Sequence, residues 1–159
     1  MTVEIRFAQP ADVATIAELI RALARYEKLE REVTMTEDRL AVVLFGKRPY
    51  AETLIAEIDG AAVGFALFFH SFSTFLAQPG VYLEDLFVMP EHRGQRIGRA
   101  LLERLAQIAV ERNCGRLEWA VLNWNTDAIR FYEQLGAKPN SDWTTYRLTG
   151  EPLRSLAGQ

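Results

Sequence analysis

A chain of 159 residues that is 49% hydrophobic and 25% charged carries enough apolar surface for one core and is short for two, so a single domain spanning 1–159 is expected. Its 18 Lys and Arg against 21 Asp and Glu give a net charge of −3, which argues against a general nucleic-acid binder because phosphate contacts need a net basic face. The single cysteine, Cys114, excludes an internal disulfide and, with only His70 and His92 beside it, makes a metal centre unexpected, while a reducing cytoplasm fits.

The opening MTVEIRFAQP alternates instead of forming a charged-then-apolar leader, and no stretch reaches the roughly 18 apolar residues of a membrane span, so a soluble intracellular protein is expected. Val3, Ile5 and Phe7 alternate with polar neighbours as a half-buried strand does. Pro10-Ala11-Asp12 starts a helix whose apolar positions from Val13 to Leu23 recur at helical spacing, running to about Leu29. Thr36 is the expected cap of a shorter helix that stops near Gly46. Strands follow at Thr53–Ile58 and Ala61–His70, joined by Asp59-Gly60, a pair suited to a tight hairpin. Ser71 to Gly80 reads as a loop, and Val81–Val88 as the fourth strand. Leu101, Leu102, Leu105, Ile108 and Ala109 then mark an amphipathic helix closed by Asn113 and Gly115. Arg116–Leu122 is expected as a strand, Thr126 to Leu135 as a helix ended by Gly136, and Thr144–Leu148 as the strand that completes the sheet. Hairpin-linked strands pair antiparallel, whereas the strand–helix–strand unit from Val81 to Leu122 requires a parallel crossover. The fold class is therefore a mixed α/β sheet, mostly antiparallel with one parallel crossover.

The stretch between the fourth strand and its helix concentrates Arg93, Gly94, Gln95, Arg96, Ile97, Gly98 and Arg99 at a turn. A glycine-bearing turn entering a helix directs backbone N–H groups outward, and the helix dipole adds positive potential, which suits a diphosphate. It is not a P-loop, because no Lys-Ser/Thr pair follows, nor does it show the three-glycine dinucleotide pattern. On these residues alone, an ordinary helix start with solvated arginines stays equally open.

With Val88-Met89-Pro90 before it, the Arg93–Gly98 stretch resembles the Q/R-x-x-G-x-G/A signature of the GNAT superfamily of acyl-CoA-dependent N-acyltransferases. The signature's inner glycine is Arg96 here, so the turn is expected to form at negative φ at that position. Leu23 to Leu29, Tyr82-Leu83-Glu84-Asp85, Asn123-Trp124-Asn125 and Phe131-Tyr132 resemble the diamine, polyamine and thialysine branch of that family. The resemblance implies the GNAT fold and acetyl-CoA as co-substrate without a metal. It also implies a small-molecule amine as acceptor, no nucleic-acid or membrane partner, and a homodimer paired through C-terminal strands. It places Leu86, Phe87 and Val88 against the acyl and pantetheine arm, with the Val88 N–H as oxyanion donor, Asn125 against the cofactor, and Tyr132 as proton donor to the departing sulfur.

The acceptor chemistry stands apart from the family. An alkylammonium has a pKa of roughly 10, so something must accept its proton before the lone pair can attack. Glu84 and Asp85 lie on the strand that ends at the turn, and being adjacent they point to opposite faces, so at most one addresses the reaction. The resemblance selects Glu84. Tyr26, Glu27, Glu30 and Glu32 offer an acidic mouth with a ring face for a cation, or simply a solvated helix end. His92 reads as a solvated loop residue near the phosphates, Cys114 as helix-end packing, and Trp124 as core. Polyamine-specific relatives carry an aspartate and a tryptophan before the fourth strand, where this chain has Phe72-Ser73-Thr74-Phe75, which leans towards thialysine or another small amine. A non-catalytic acyl-CoA sensor, or a transferase for a protein lysine or an aminoglycoside amine, is the alternative.

Overall fold

The computed structural model describes residues 2–159 and resolves them into two compact units, one ending at Ala120 and the other comprising Val121–Gln159. The first unit is built on a sheet of β1 (Val3–Phe7), β2 (Glu52–Ile58), β3 (Ala61–Ser73), β4 (Gln78–Val88) and β5 (Leu117–Trp119), laid side by side in chain order. Every neighbouring pair is antiparallel except β4 and β5. Those two are parallel because α3 (Ile97–Glu111) carries the chain back across the sheet between them. The mixed, mostly antiparallel sheet read from the sequence is the one observed.

Local chemistry explains most boundaries. Asp59 and Gly60 both take positive φ, 50° and 79°, so the β2–β3 connection is the tight hairpin their identities favour. Thr36 accepts a hydrogen bond from the Arg39 N–H at 3.2 Å, capping α2 (Glu37–Phe45). Helix α1 (Val13–Tyr26) follows a short 3-10 turn at Pro10–Asp12 and ends three residues earlier than its periodicity suggests. Lys28 there takes φ 61°, and the Leu29 N–H donates back to the Ala24 carbonyl at 2.8 Å. This is a left-handed helix stop without glycine, which leaves no mark in the sequence.

The segment expected as a loop, Ser71 to Gly80, is corrected to a continuation of the hairpin. Ser71 to Ser73 pair with Gly80, Pro79 and Gln78, and only Thr74 to Ala77 turn. Phe75 at the tip is 99% exposed, and its aromatic character gave no hint of that position. Strand β5 is also shorter than Arg116–Leu122, its parallel ladder covering only Leu117 to Trp119.

Alternation along the strands sorts the core into two layers. Ile55, Phe65 and Phe87 stand opposite one another in register and pack with Ile16, Leu19, Leu23, Leu40 and Leu44 from α1 and α2. The intervening buried positions, Leu54, Ala66 and Phe68, point the other way, and α3 covers that side with Leu101, Leu105 and Ile108. Burying a leucine or phenylalanine contributes about 1.5–3 kcal/mol, so these two layers dominate the stability of the unit.

The second unit contains α4 (Thr126–Gln134) and α5 (Gly150–Leu156). The expectation of a strand at Thr144–Leu148 is not met: the segment has no strand partner among the described residues, and Tyr146 is 93% exposed. Strand propensity reflects packing on neighbours more than an intrinsic backbone preference, and this segment buries nothing on either face. Helix α5 escaped the sequence reading, although Pro152 in its first turn and the Glu151–Arg154 pair at 3.1 Å are helix signals.

One ion-pair network ties the sheet edge to the start of α1. The Arg6 guanidinium donates to Asp12 at 2.8 and 2.9 Å and to Glu57 at 2.7 and 3.0 Å, and Asp12 also accepts the Gln9 N–H at 2.7 Å. The Arg6 bonds hold the Asp12 carboxyl below its ordinary range. Stability from Asp12 is therefore present above its unfolded pKa and lost as pH falls through the lower folded value. Arg6→Met is expected to cost about 2 kcal/mol at neutral pH, with the difference from the parent chain shrinking in acid, as read by urea unfolding across a pH series.

Candidate active site

Strand β4 ends at Val88, and a 3-10 turn at Pro90–His92 leads through Arg93, Gly94, Gln95 and Arg96 into α3. Gly94 takes φ 79° and Arg96 φ 64° with ψ 19°. The expectation of negative φ at Arg96 is thus overturned: the turn keeps the left-handed geometry that a glycine adopts freely, and a side chain bears the strain of about 1–2 kcal/mol. Left-handed residues in a tight turn can gather neighbouring amides into a concavity that suits an anion. No side chain caps α3, so the amides of its first turn add to that donor set. The donors present fit a diphosphate.

Arg93 is more engaged than a solvated arginine. Its Nε donates to the Val88 carbonyl at 3.1 Å, and its guanidinium carbon lies 4.4 Å from the Tyr26 ring centre and 5.5 Å from that of Phe87. The ring face that the sequence offered to an ammonium thus carries a guanidinium from the same chain. His92, read as solvated, is instead partly buried, and its Nδ1 is shielded from solvent without a hydrogen-bond partner among the described residues.

The acidic pair on β4 departs from simple alternation. Asp85 stands opposite Leu67 and Leu83 opposite Phe68, so Glu84 has no partner and forms a β-bulge. The bulge breaks the regular alternation on which the choice between the two acids rested. Opposed residues share a face, so Asp85 lies on the side of Leu67, which packs against the Leu19, Leu23, Phe65 and Phe87 cluster below α1. Burial, and then the charges of Glu84 and Glu27, push the Asp85 carboxyl up to about 6. Burial likewise raises Glu27, which caps the end of α1. Glu84 itself is exposed, as are Glu30 and Glu32. The structure therefore brings Glu27, Glu84 and Asp85 into one electrostatic group and adds Asp85, which the sequence reading had set aside.

Two further features concern Leu86, Phe87 and Val88. The parallel ladder to β5 stops at Leu83 opposite Trp119, so this last part of β4 has no strand on that edge among the described residues. On the other edge Gly64 pairs with Val88, and a Cβ on Gly64 would come within 2.7 Å of the Phe87 carbonyl oxygen, so only glycine permits this approach. Gly64 was not singled out in the sequence, where it reads as one more residue of an apolar strand. Within the second unit, Asn125 caps α4 by accepting the Ala128 N–H at 3.3 Å, and Phe131 and Tyr132 lie with ring centres 5.6 Å apart. Trp124 is 49% exposed, so it is not a core residue. Cys114 sits at the end of α3, its N–H donating to the Ala109 carbonyl at 2.8 Å, as expected of helix-end packing.

A glycine-bearing turn opens the parallel crossover, with Glu84 and Asp85 on the last part of the strand that enters it, and residues 14–137 match the model of the acetyltransferase (GNAT) family. The chain belongs to that family and is an N-acetyltransferase. It is 39% identical to the thialysine N-epsilon-acetyltransferase of Bos taurus, the match covering 99% of this chain and 98% of the relative. It is 32% identical to the L-ornithine N5-acetyltransferase of Arabidopsis thaliana, covering 96% and 86%. Among solved structures, an integron cassette protein from the mobile metagenome of V. cholerae superposes with a TM-score of 0.84 at 29% identity, covering 100% of this chain and 99% of that one.

The left-handed arginine yields a direct test. Arg96→Gly removes the Cβ clash at φ 64°, and the urea midpoint is expected to rise by an amount equivalent to up to about 1 kcal/mol. A fall would show that the Arg96 side chain contributes more than its backbone strain costs.

Proposed function

We propose that this acetyltransferase moves the acetyl group of acetyl-CoA to the side-chain amine of a small basic amino acid or diamine of the thialysine and ornithine kind, by direct attack in a ternary complex. The observation that carries this reading is the bulge at Glu84, which puts Asp85 on the α1 side of the strand that runs into the turn, within reach of the charges of Glu84 and Glu27. An acidic group of this kind attracts a cationic acceptor and supplies a place for its proton. The names of the relatives, which act on thialysine and on ornithine, point to the same class of acceptor.

In this reading acetyl-CoA supplies the thioester, and the chain supplies binding and proton handling. The amides of Gly94, Gln95, Arg96, Ile97, Gly98 and Arg99, with the arginine side chains, hold the diphosphate. Leu86, Phe87 and Val88 offer backbone groups along the unpaired edge of β4. The Glu84 and Asp85 pair accepts the ammonium proton; because the two carboxyls interact, the titration belongs to the pair. Tyr26 and Glu27 border the acceptor, Asn125 contacts the co-substrate, and Tyr132 gives a proton to the leaving sulfur, since a phenol of pKa about 10 stays protonated at neutral pH. Cytoplasmic residence agrees with the lone cysteine. A homodimer agrees with the exposed segment around Trp143, Tyr146 and Leu148, which has strand chemistry and no strand partner among the described residues.

A panel of thialysine, ornithine, lysine, spermidine and an aminoglycoside, assayed for CoA release, tests the assignment. Thialysine or ornithine is expected to give the highest kcat/KM, and preference for spermidine or the aminoglycoside would overturn the acceptor class. No release with any of them, despite acetyl-CoA binding, would favour a sensor. Because the base works deprotonated, kcat/KM should rise with pH through about 6, and Asp85→Asn should abolish that limb. A carboxyl raised on folding contributes stability below its unfolded pKa and loses it as pH rises through about 6, so Asp85→Asn is also expected to be more stable at pH 7 by about 1–2 kcal/mol.

A further inference from the structure

Arg93 stands in the turn that holds the diphosphate, yet every contact that fixes its side chain leads elsewhere. Its Nε is tied to the Val88 carbonyl at 3.1 Å, at the very end of β4. Its guanidinium then lies over the Tyr26 ring at 4.4 Å and near the Phe87 ring at 5.5 Å, the two rings being 6.3 Å apart and inclined at 49°. Tyr26 is the last residue of α1, and the next residue, Glu27, is the helix cap whose charge helps push Asp85 up. A continuous physical connection therefore runs from the phosphate turn through one guanidinium to the last turn of α1, and from there to the carboxyl group beside Asp85.

That end of α1 stands at the edge of the core. The helix stops at a residue in the left-handed conformation, Lys28 with φ 61°, and the chain beyond it is a short, exposed 3-10 turn at Glu30–Glu32. Leu23 and Ala24 anchor the preceding turn in the core, but Tyr26 is 37% exposed. A planar cation over an aromatic ring suits this task because Arg stacks through its face while its in-plane N–H groups still donate, which a lysine cannot do.

We propose that Arg93 is a positioning residue for the amine side of the reaction: acting through the Tyr26 ring, it fixes the end of α1 and so the placement of Glu27 against the acceptor. This inference rests on the acceptor site proposed above and adds a role for a residue that its location alone would assign to the diphosphate. The same residue makes the amine site sensitive to what the phosphate turn holds, because any shift of the guanidinium moves the stack.

The test is a double-substitution cycle on the full chain, with acetyl-CoA and thialysine as substrates. Arg93→Lys keeps the positive charge at the turn and removes the planar stack. It is expected to raise the KM for thialysine by about three- to fivefold, the size of an exposed cation–π contact, and by a larger factor than it raises the KM for acetyl-CoA. Tyr26→Leu should raise the thialysine KM by a similar factor, the double variant by no more than the larger single effect, and Tyr26→Phe, which keeps the ring, by less than about twofold. Melting temperatures accompany each variant; should Arg93→Lys fail to fold, the comparison of Tyr26→Leu with Tyr26→Phe carries the test by the same KM split. A rise in the acetyl-CoA KM alone, or Arg93→Lys and Tyr26→Leu effects that multiply in the double variant, would overturn the positioning role while leaving the transferase intact. Absence of turnover with every amine in the parent chain would remove the acceptor site itself, and this inference with it.

Discussion

In the ladder between β3 and β4, Glu84 has no partner, and the rest of the site depends on that irregularity. In an unbroken strand Leu83 and Phe87 would face the same side of the sheet. With one residue left over, Leu83 stands opposite Phe68 on the side covered by α3, and Phe87 opposite Phe65 on the side covered by α1. Both layers are thereby filled, and Asp85 is delivered to the underside of α1. A carboxyl placed there is costly to ionise, because it loses water and feels the charges of Glu84 and Glu27. The same cost brings its titration close to neutrality, where a proton acceptor for an amine is useful.

The site holds a second unfavourable feature, the left-handed Arg96 at the start of α3. Both are tolerated because they sit on elements whose opposite ends are firmly held. The β4 strand is paired along its length to β3, α3 is anchored by Leu101, Leu105 and Ile108, and the Arg6 network fastens the entry to α1. At its other end α3 is secured by Arg112, the cap residue, which forms a two-pronged ion pair with Glu52 of β2 at 2.6 and 2.9 Å and donates to the His70 Nε2 at 2.9 Å. Strain is concentrated where the amides and carboxyls must be presented, and the stabilising contacts lie away from it.

Much of this was legible from residue types and spacing. The hairpin at Asp59-Gly60, the cap at Thr36, the cap at Asn125 and the amphipathic faces of α1 and α3 each follow from local chemistry that a short window of sequence contains. The turn after Val88 was legible as the entry from a buried strand into a helix. Ser71 to Gly80 were misread because a four-residue turn flanked by aromatic and small residues looks like a loop when its pairing partner is unknown. Thr144–Leu148 was misread for the converse reason, since strand-like residues form a strand only where another strand receives them.

What the sequence by itself determined is the class and order of the elements from β1 to α4, because helix periodicity, hairpin dipeptides and caps act over a few residues. What only the tertiary structure decided is which acid faces the α1 side of the sheet, that Arg96 turns left-handed without a glycine, that Gly64 must lack a side chain, and that Arg93 rests on Tyr26. The acid's face, the glycine and the Arg93 stack depend on register or on contact between residues from about 20 to about 70 positions apart in the chain, and no local preference carries that information.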